Sequence, residues 1–242
     1  MGVIERVTGD GSVAPIAASR EWPRLQGAIL GARRHGVARA GYSLALKAVN
    51  RIAPLKILRG VIIQRPLPEF LVCPEGYTPT FLTPDRLRSY SLDPETRLSP
   101  RFVEEAVSKG DECFGILQGG TLAAYGWYSS RPTRIDPHEL RLRFGYEYVY
   151  MYNGYTHPLC RGRRLHAIGM TMALREYLGR GRKGLVSYVE SNNFDSLKSC
   201  RRMGYAEFGS IYVVRISGRY RAFSSAGCRR LGFRVERVAD TA

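Results

Sequence analysis

What is scarce in this sequence narrows its possibilities first. No run approaches the roughly 20 uncharged apolar residues that a membrane-spanning helix needs. The opening residues, MGVIERVTGDGSVAPIAASREW, lack a basic stretch followed by an apolar one. Neither a bilayer crossing nor export is therefore expected, and the reading is a cytoplasmic protein, or one peripheral to a membrane. Cysteine is sparse and scattered: Cys73, Cys113, Cys160, Cys200 and Cys228 never fall as CxxC and never cluster with histidine. That pattern suits a reducing compartment and predicts no metal site. Acidic residues are few as well, 21 against 37 Lys and Arg, for a net charge of +16. Such a surface attracts polyanions, which include nucleic acid, anionic lipid, acidic proteins and phosphorylated cofactors.

What is present is an ordinary globular composition. The 242 residues are 44% hydrophobic and include 15 Tyr and 9 Phe, enough for a substantial core and too aromatic for a disordered chain.

The charge is unevenly spread. Between Trp22 and Pro68 stand nine basic residues and no acid. Val37, Gly41, Leu44, Ala48 and Ile52 recur there at helical spacing, with Arg39, Lys47 and Arg51 on other faces. The spacing predicts a basic amphipathic helix over 37–52 and a second over 24–34. Such a segment either packs on the domain behind it or meets a membrane surface or partner through 24–65. Residues 1–68 are accordingly read as a basic helical extension. It lacks interleaved aromatics and any nucleic-acid reading motif, so no specific nucleic acid is expected as a partner.

From residue 69 strands and helices alternate. EFLVC (69–73) reads as a short strand. Thr83-Pro84 and Ser99-Pro100 each place a capping residue before a proline at the first helical position. ECFGILQ (112–118) and TLAAYGWYSS (121–130), joined by Gly119-Gly120, read as a hairpin. YEYVYMYNGYT (146–156) is a strand, RRLHAIGMTMALREYLGRG a helix, GLVSYVES (184–191) a strand, NFDSLKSCRRMG a helix, and AEFGSIYVVRI (206–216) a last strand or pair. CRRMGY at 200–205 is echoed by CRRLGF at 228–233. The echo predicts a further short helix and strand in a C-terminal tail, 218–242. On strand 146–156, strict alternation puts Glu147, Asn153, Tyr155 and His157 on one face. It puts Tyr146, Tyr148, Tyr150 and Tyr152 on the other, where a period-two stripe reads as core.

The chemistry concentrates in THPLCRGRRLHAIGMTMALRE. A strand ends at a proline, a basic glycine-bearing turn follows, and a helix begins at once. Such a turn aims backbone N–H groups and a positive helix end at one point, as pyrophosphate binding requires. About thirty residues on, another strand runs into Asn192-Asn193 and a helix closing in MGY.

With these two motifs at this separation, the chain resembles the GNAT superfamily of acyl-CoA-dependent N-acyltransferases over residues 69–217. The family's V-x-P followed by R-G-x-G-x-G is met by Thr156, Pro158, Arg161-Gly162-Arg163 and Leu165. Its second motif is met by Asn193, Ser196, Gly204 and Tyr205. The second and third glycines of the first motif are Arg164 and His166 here, and the usual tyrosine is Cys200.

The resemblance implies an α+β (α/β) fold with a mixed, mostly antiparallel sheet of six to seven strands and about four flanking helices. It implies acetyl-CoA, or another acyl-CoA, as co-substrate and no metal. The residues it assigns to the co-substrate are Tyr155, Thr156, Arg161, Gly162, Arg163, Arg164, Leu165, His166, Ala167, Asn193, Ser196 and Ser199. The expected activity is transfer of an acetyl group to an amine by direct attack in a ternary complex. Such attack needs a base, for which Glu147 and Glu190 are candidates, and a proton donor for the leaving sulfur. Cys200 could be that donor or a nucleophile, or it is a small buried residue with Ser196, Ser199 or water as donor. Two alternatives stand beside this reading. One is a longer acyl chain carried by CoA or by an acyl carrier protein, whose acidity suits the basic surface. The other is a non-catalytic module that docks on membrane or nucleic acid. The amine acceptor stays open among small amines, amino sugars, peptide N-termini and protein lysines.

Overall fold

The structure, a computed structural model, describes residues 36–238. The expected helix over 24–34 therefore lies outside the described residues. Contacts divide the chain into two compact units, Met1–Lys47 and Ala48–Ala242. The predicted amphipathic helix is present as α1, Val37–Ile52, with Arg51 in its last turn.

The larger unit is built on an eight-stranded sheet. Its strands are β1 (Leu55–Ile63), β2 (Tyr77–Leu82), β3 (Glu112–Gln118), β4 (Thr121–Ser129), β7 (Tyr148–Thr156), β8 (Gly184–Glu190), β9 (Ala206–Ile216) and β10 (Arg219–Ser224), in the order β10-β9-β1-β8-β7-β4-β3-β2. Every neighbouring pair is antiparallel except β7 and β8. A second, three-stranded sheet, β11-β6-β5, is formed by β5 (Thr133–Ile135), β6 (Leu140–Arg143) and β11 (Arg234–Arg237). The other helices among the described residues are α2 (Pro84–Ser91), α3 (Pro100–Lys109), α4 (Leu165–Gly179), α5 (Phe194–Arg202) and α6 (Ala226–Arg230). The main sheet is one strand wider than the largest expectation, and the small sheet was not foreseen.

Local chemistry explains the elements. Thr83 and Ser99 cap α2 and α3 through their hydroxyls, which accept from the amides of Arg86 (3.4 Å) and Phe102 (3.2 Å). Gly110 closes α3 in the left-handed conformation, where a glycine carries no β-carbon penalty. The echoed hexapeptides close α5 and α6 in the same way. The amides of Tyr205 and Phe233 donate back to the carbonyls of Cys200 (3.0 Å) and Cys228 (2.9 Å), each across a positive-φ glycine.

Two readings of the sequence are corrected. EFLVC is not a strand, because Pro68–Phe70 is a short 3-10 turn that buries Phe70 and leaves Val72 72% exposed. Pro68 and Pro74 bracket a run too short to contribute ladder bonds. Residues 55–63 belong to the sheet rather than to a helical extension, since β1 pairs with β8 on one side and β9 on the other. Its run LKILRGVII is apolar because a strand inside the sheet is covered on both faces.

One face of the main sheet carries α4 and α5, with Val61, Val149, Met151, Leu165, Ile168, Leu174, Leu185 and Leu197 in one core cluster. The opposite face is covered by α2 and α3 around Trp127 and by the small sheet around Tyr148, Tyr150 and Phe233. The tyrosine stripe is thus core at Tyr148 and Tyr150, 6% and 4% exposed, while Tyr146 precedes the strand and is 85% exposed. Among the described residues, no helix is long and apolar enough to cross a membrane.

Candidate active site

The site begins with the one parallel pair. β7 and β8 are joined only at Tyr148↔Gly184, Val149↔Leu185 and Tyr150↔Val186, although they continue to Thr156 and Glu190. Beyond those pairs Ser187 Oγ donates to the Met151 carbonyl at 2.8 Å. Past that point the inner edges of the two strands carry no ladder bonds to each other, while their outer edges stay paired with β4 and β1. Because the strands are parallel neighbours, their C-terminal ends lie on one side of the sheet. The helices that follow, α4 and α5, pack on the same face. Two helix N-termini therefore flank one gap, an arrangement suited to an anionic group.

A bulge sits at the mouth of that gap. Tyr125 pairs with Tyr155 and Trp127 with Tyr152, so Asn153 and Gly154 together oppose Gly126. Asn153 takes φ 46. The extra residue inverts the alternation beyond it. Tyr155 consequently shares a face and a core cluster with Tyr152, contrary to the strict alternation expected from sequence. The Tyr155 hydroxyl donates to the Glu95 carbonyl at 2.8 Å. Asn-Gly was the available signal, since both residues tolerate positive φ.

Next comes the turn. His157 Nδ1 accepts from the Leu159 amide at 3.3 Å, and its Nε2 lies 3.2 Å from Glu95 Oε2, so this imidazole braces the turn. Arg161 is extended, Gly162 has φ 81, and Arg164, at φ 59 and ψ 17, is the residue from which α4 departs. Arg164 thus keeps a conformation natural to glycine although it is not one. No side chain caps α4, and its first helical bond runs from the Ile168 amide to the Arg164 carbonyl at 3.0 Å. The amides of Leu165, His166 and Ala167 are left without acceptors inside the helix. Arg163 hydrogen-bonds the Tyr77 hydroxyl. Arg161 and Arg164 are exposed and form no ion pair among the described residues.

The loop after β8 leads into α5. Asn193 ends the loop after β8, and its Oδ1 accepts from the Ser196 amide at 3.2 Å to cap α5. Ser199 is exposed on α5, and Cys200 is half-buried on it. Burial, with a smaller contribution from Glu207, pushes the Cys200 thiol up to about 11.

The two candidate bases part company. Glu147 precedes β7, at the end where that strand is still joined to β8, and lies 3.9 Å from Lys183 Nζ. Six residues of extended chain, about 20 Å, separate it from the bulge, so the structure does not bring it into the gap. Glu190 ends β8 at the open side of the gap, 47% exposed, with Lys56 Nζ at 3.8 Å.

His166 differs from the expectation of a side-chain phosphate contact. Its ring turns away from the exposed turn and packs on β7, where a β-carbon built on Gly154 would lie 2.4 Å from its Cε1. Its amide is one of the uncapped N-terminal donors of α4. Sequence reasoning also missed Gly154, against which this ring packs, because their proximity is non-local.

No family model matches this chain, and no curated protein matches it. Forty-two chains of solved structures do. They include a GCN5-related N-acetyltransferase from Sphaerobacter thermophilus, 14% identical over 74% of this chain and 56% of that one, with a TM-score of 0.49. A GCN5-related N-acetyltransferase-like protein from Streptococcus suis is 12% identical over 77% and 68%, with a TM-score of 0.46. An N-acetyltransferase from Staphylococcus aureus is 12% identical over 66% and 98%, with a TM-score of 0.42. The chain spans 56 to 68% of the length of five of the matched proteins. At this level the likeness is one of fold.

Proposed function

We propose that the chain is a GNAT-type N-acyltransferase that moves an acetyl group from acetyl-CoA to an amine by direct attack. The observation that carries this reading is the parted pair β7 and β8, with an uncapped helix N-terminus at its end and a turn holding positive φ at Gly162 and Arg164. The turn amides and Arg161 and Arg164 would take the pyrophosphate, with Arg163 beside them. The substrate's amide-bearing arm would lie along the unpaired inner edge of β7.

In the reaction the amine nitrogen forms a bond to the thioester carbon, the carbon–sulfur bond breaks, and the sulfur takes a proton. Glu190 is the carboxylate placed to accept the amine's proton, given its position at the open end of β8. The backbone at Tyr155 and Thr156, just past the bulge, is where the resemblance puts the partner of the developing oxyanion. Cys200 fits the donor role better than the nucleophile role. A thiol near 11 is ionised to about one part in ten thousand at pH 7, too little for efficient attack, while it stays protonated and able to hydrogen-bond the leaving sulfur, as a weaker acid than an ordinary thiol.

A thermal-shift series with CoA, acetyl-CoA and a long-chain acyl-CoA tests the proposal. A ligand at 100 times its dissociation constant stabilises by about 2.7 kcal/mol, or roughly 5–10 °C for a protein of this size. Stabilisation by CoA and acetyl-CoA is expected. No shift with any of the three overturns the proposal.

A further inference from the structure

We propose that the chain acetylates itself at Lys56, whose ammonium stands beside Glu190 at the open end of the parted strands. This rests on the acyltransfer reading above and adds to it an acceptor amine built into the chain.

Strand register brings the lysine there. β1 runs antiparallel to β8 and pairs Leu58 with Glu190, the last residue of β8. Lys56 lies two residues earlier in β1, beyond the end of β8, on the side where β7 and β8 have parted. Directly paired residues share a face of a sheet, as do residues two apart in a strand. Lys56, Leu58 and Glu190 therefore share one face, and Leu58 packs there in the core cluster of Tyr148, Tyr150 and Phe233. This is the face opposite α4 and α5. A donor held by its pyrophosphate at the α4 N-terminus would present its thioester through the gap, and an amine would meet it from this other face.

The contacts single out Lys56 as such an amine. Its Nζ lies 3.8 Å from Glu190 Oε1, hydrogen-bonds the Asp136 carboxylate and lies 3.4 Å from the Asp136 carbonyl oxygen. The Tyr188 hydroxyl belongs to the same group. Burial raises its pKa, and the charges of Glu190 and Asp136 add to the rise. The Tyr188 ring stacks 6.3 Å from that of Tyr150, the last residue of β7 paired to β8, so the group abuts the seam where the strands separate. Lysine is also scarce, five of the 37 basic residues. Of the other four, Lys109 pairs with buried Asp111, Lys183 faces Glu147 at the joined end of the strands, Lys198 is exposed on α5, and Lys47 belongs to the other compact unit. An arginine could not replace Lys56 in this role, because a guanidinium stays charged in proteins, whereas an ammonium that gives up a proton becomes a nucleophile.

In the step, Glu190 takes one proton from the Lys56 ammonium. The freed amine forms a bond to the thioester carbon, the carbon–sulfur bond breaks, and the sulfur leaves with the amine's second proton as the CoA thiol. Lys56 becomes a neutral amide. Its ion pairs are lost, and Asp136 and Glu190 are left to an incoming amine.

The test incubates the full chain with excess acetyl-CoA carrying a heavy-isotope acetyl group and follows each lysine by peptide mass spectrometry. Lys47 and Lys198, both exposed, report uncatalysed acetylation in the same sample. Lys56 is expected to be labelled faster than either by about a hundredfold, the contribution of a positioned base. Its rate per chain should not change as the protein is diluted, since acceptor and base lie in one molecule. Glu190→Gln should slow Lys56 to the pace of Lys198. The comparison among lysines of the wild type needs no variant and decides the matter if Glu190→Gln does not fold. Labelling of Lys56 no faster than of Lys198, a rate per chain that falls on dilution, or an unaltered rate in folded Glu190→Gln overturns self-acetylation, and if CoA still raises the melting temperature the acyltransfer reading stands. Failure of the wild type to bind CoA at all overturns both.

Discussion

The ring of His166 stands where a side chain on Gly154 would have to go: a β-carbon there would lie 2.4 Å from His166 Cε1 and 3.1 Å from its Nδ1. The two residues thus form one packing unit between the first turn of α4 and the bulge of β7. Gly154→Ala is expected to cost about 1–3 kcal/mol through overpacking, read as a lower midpoint in urea. His166→Ala on that background should recover part of the loss, because the obstructing ring is gone. Additive effects in the double mutant would show that the contact is not shared.

How much of this was legible in the sequence follows from the range of each interaction. Helix starts at Thr83 and Ser99 and the Gly119-Gly120 hairpin rest on neighbours in the chain, and all three are as expected. Both motif turns are local as well, down to the capping of α5 by Asn193. The strand at 55–63 shares the basic, acid-free character of the segment before it, which hides the β-branched run that pairs with β8 and β9. The edge strand β2 was obscured by Pro79, which an outermost strand tolerates. The face assignments failed beyond Asn153 because one inserted residue flips every later side chain. Glu147 failed as a candidate because alternation says which face a residue takes and nothing about which end of the strand is open.

Arg164 offers a cleaner case of backbone strain than any contact. A non-glycine residue at φ 59 is held in the left-handed region, a conformation that costs about 1–2 kcal/mol. Arg164→Gly should therefore leave stability unchanged or raise it by up to about 1 kcal/mol, since glycine's greater freedom in the unfolded chain offsets part of the relief. The same variant removes a charge from the turn, so CoA affinity should fall and depend less steeply on salt. Gly162→Ala, at φ 81, is expected to destabilise by about 1–2 kcal/mol. Equal destabilisation by both variants would contradict the conformational argument.

Titration of His166 is linked to stability through its burial. Burial lowers its pKa from the ordinary value of 6.5, so the unfolded chain binds the proton more readily than the folded one. The stability that depends on the neutral ring is fully present above 6.5 and is lost as pH falls below it toward the folded-state pKa. The wild type should lose stability on going from pH 7 to pH 5 by more than His166→Gln does. In a proton NMR titration the His166 ring should change its signal below pH 6.5. A midpoint at or above that value would remove the sign of the effect.

Cys200 separates the two chemistries left open at the thioester. Burial first and Glu207 second push its thiol to about 11, so at pH 8 only about one molecule in a thousand carries the thiolate. Iodoacetamide labelling, followed peptide by peptide by mass spectrometry, should be slow at Cys200 and should quicken about tenfold per pH unit between 8 and 10. A thiol of ordinary acidity would instead level off near pH 9. In acetyl transfer, Cys200→Ala should lower kcat by tenfold or more if the thiol supplies the proton, while Cys200→Ser, which still carries a donor hydroxyl, should retain more of it. A covalent acyl group on Cys200, or rapid labelling at pH 7.5, would shift the mechanism to a thiolate that attacks. Full kcat in Cys200→Ala would place the donor elsewhere, with Ser196, Ser199 and bound water next to be tested.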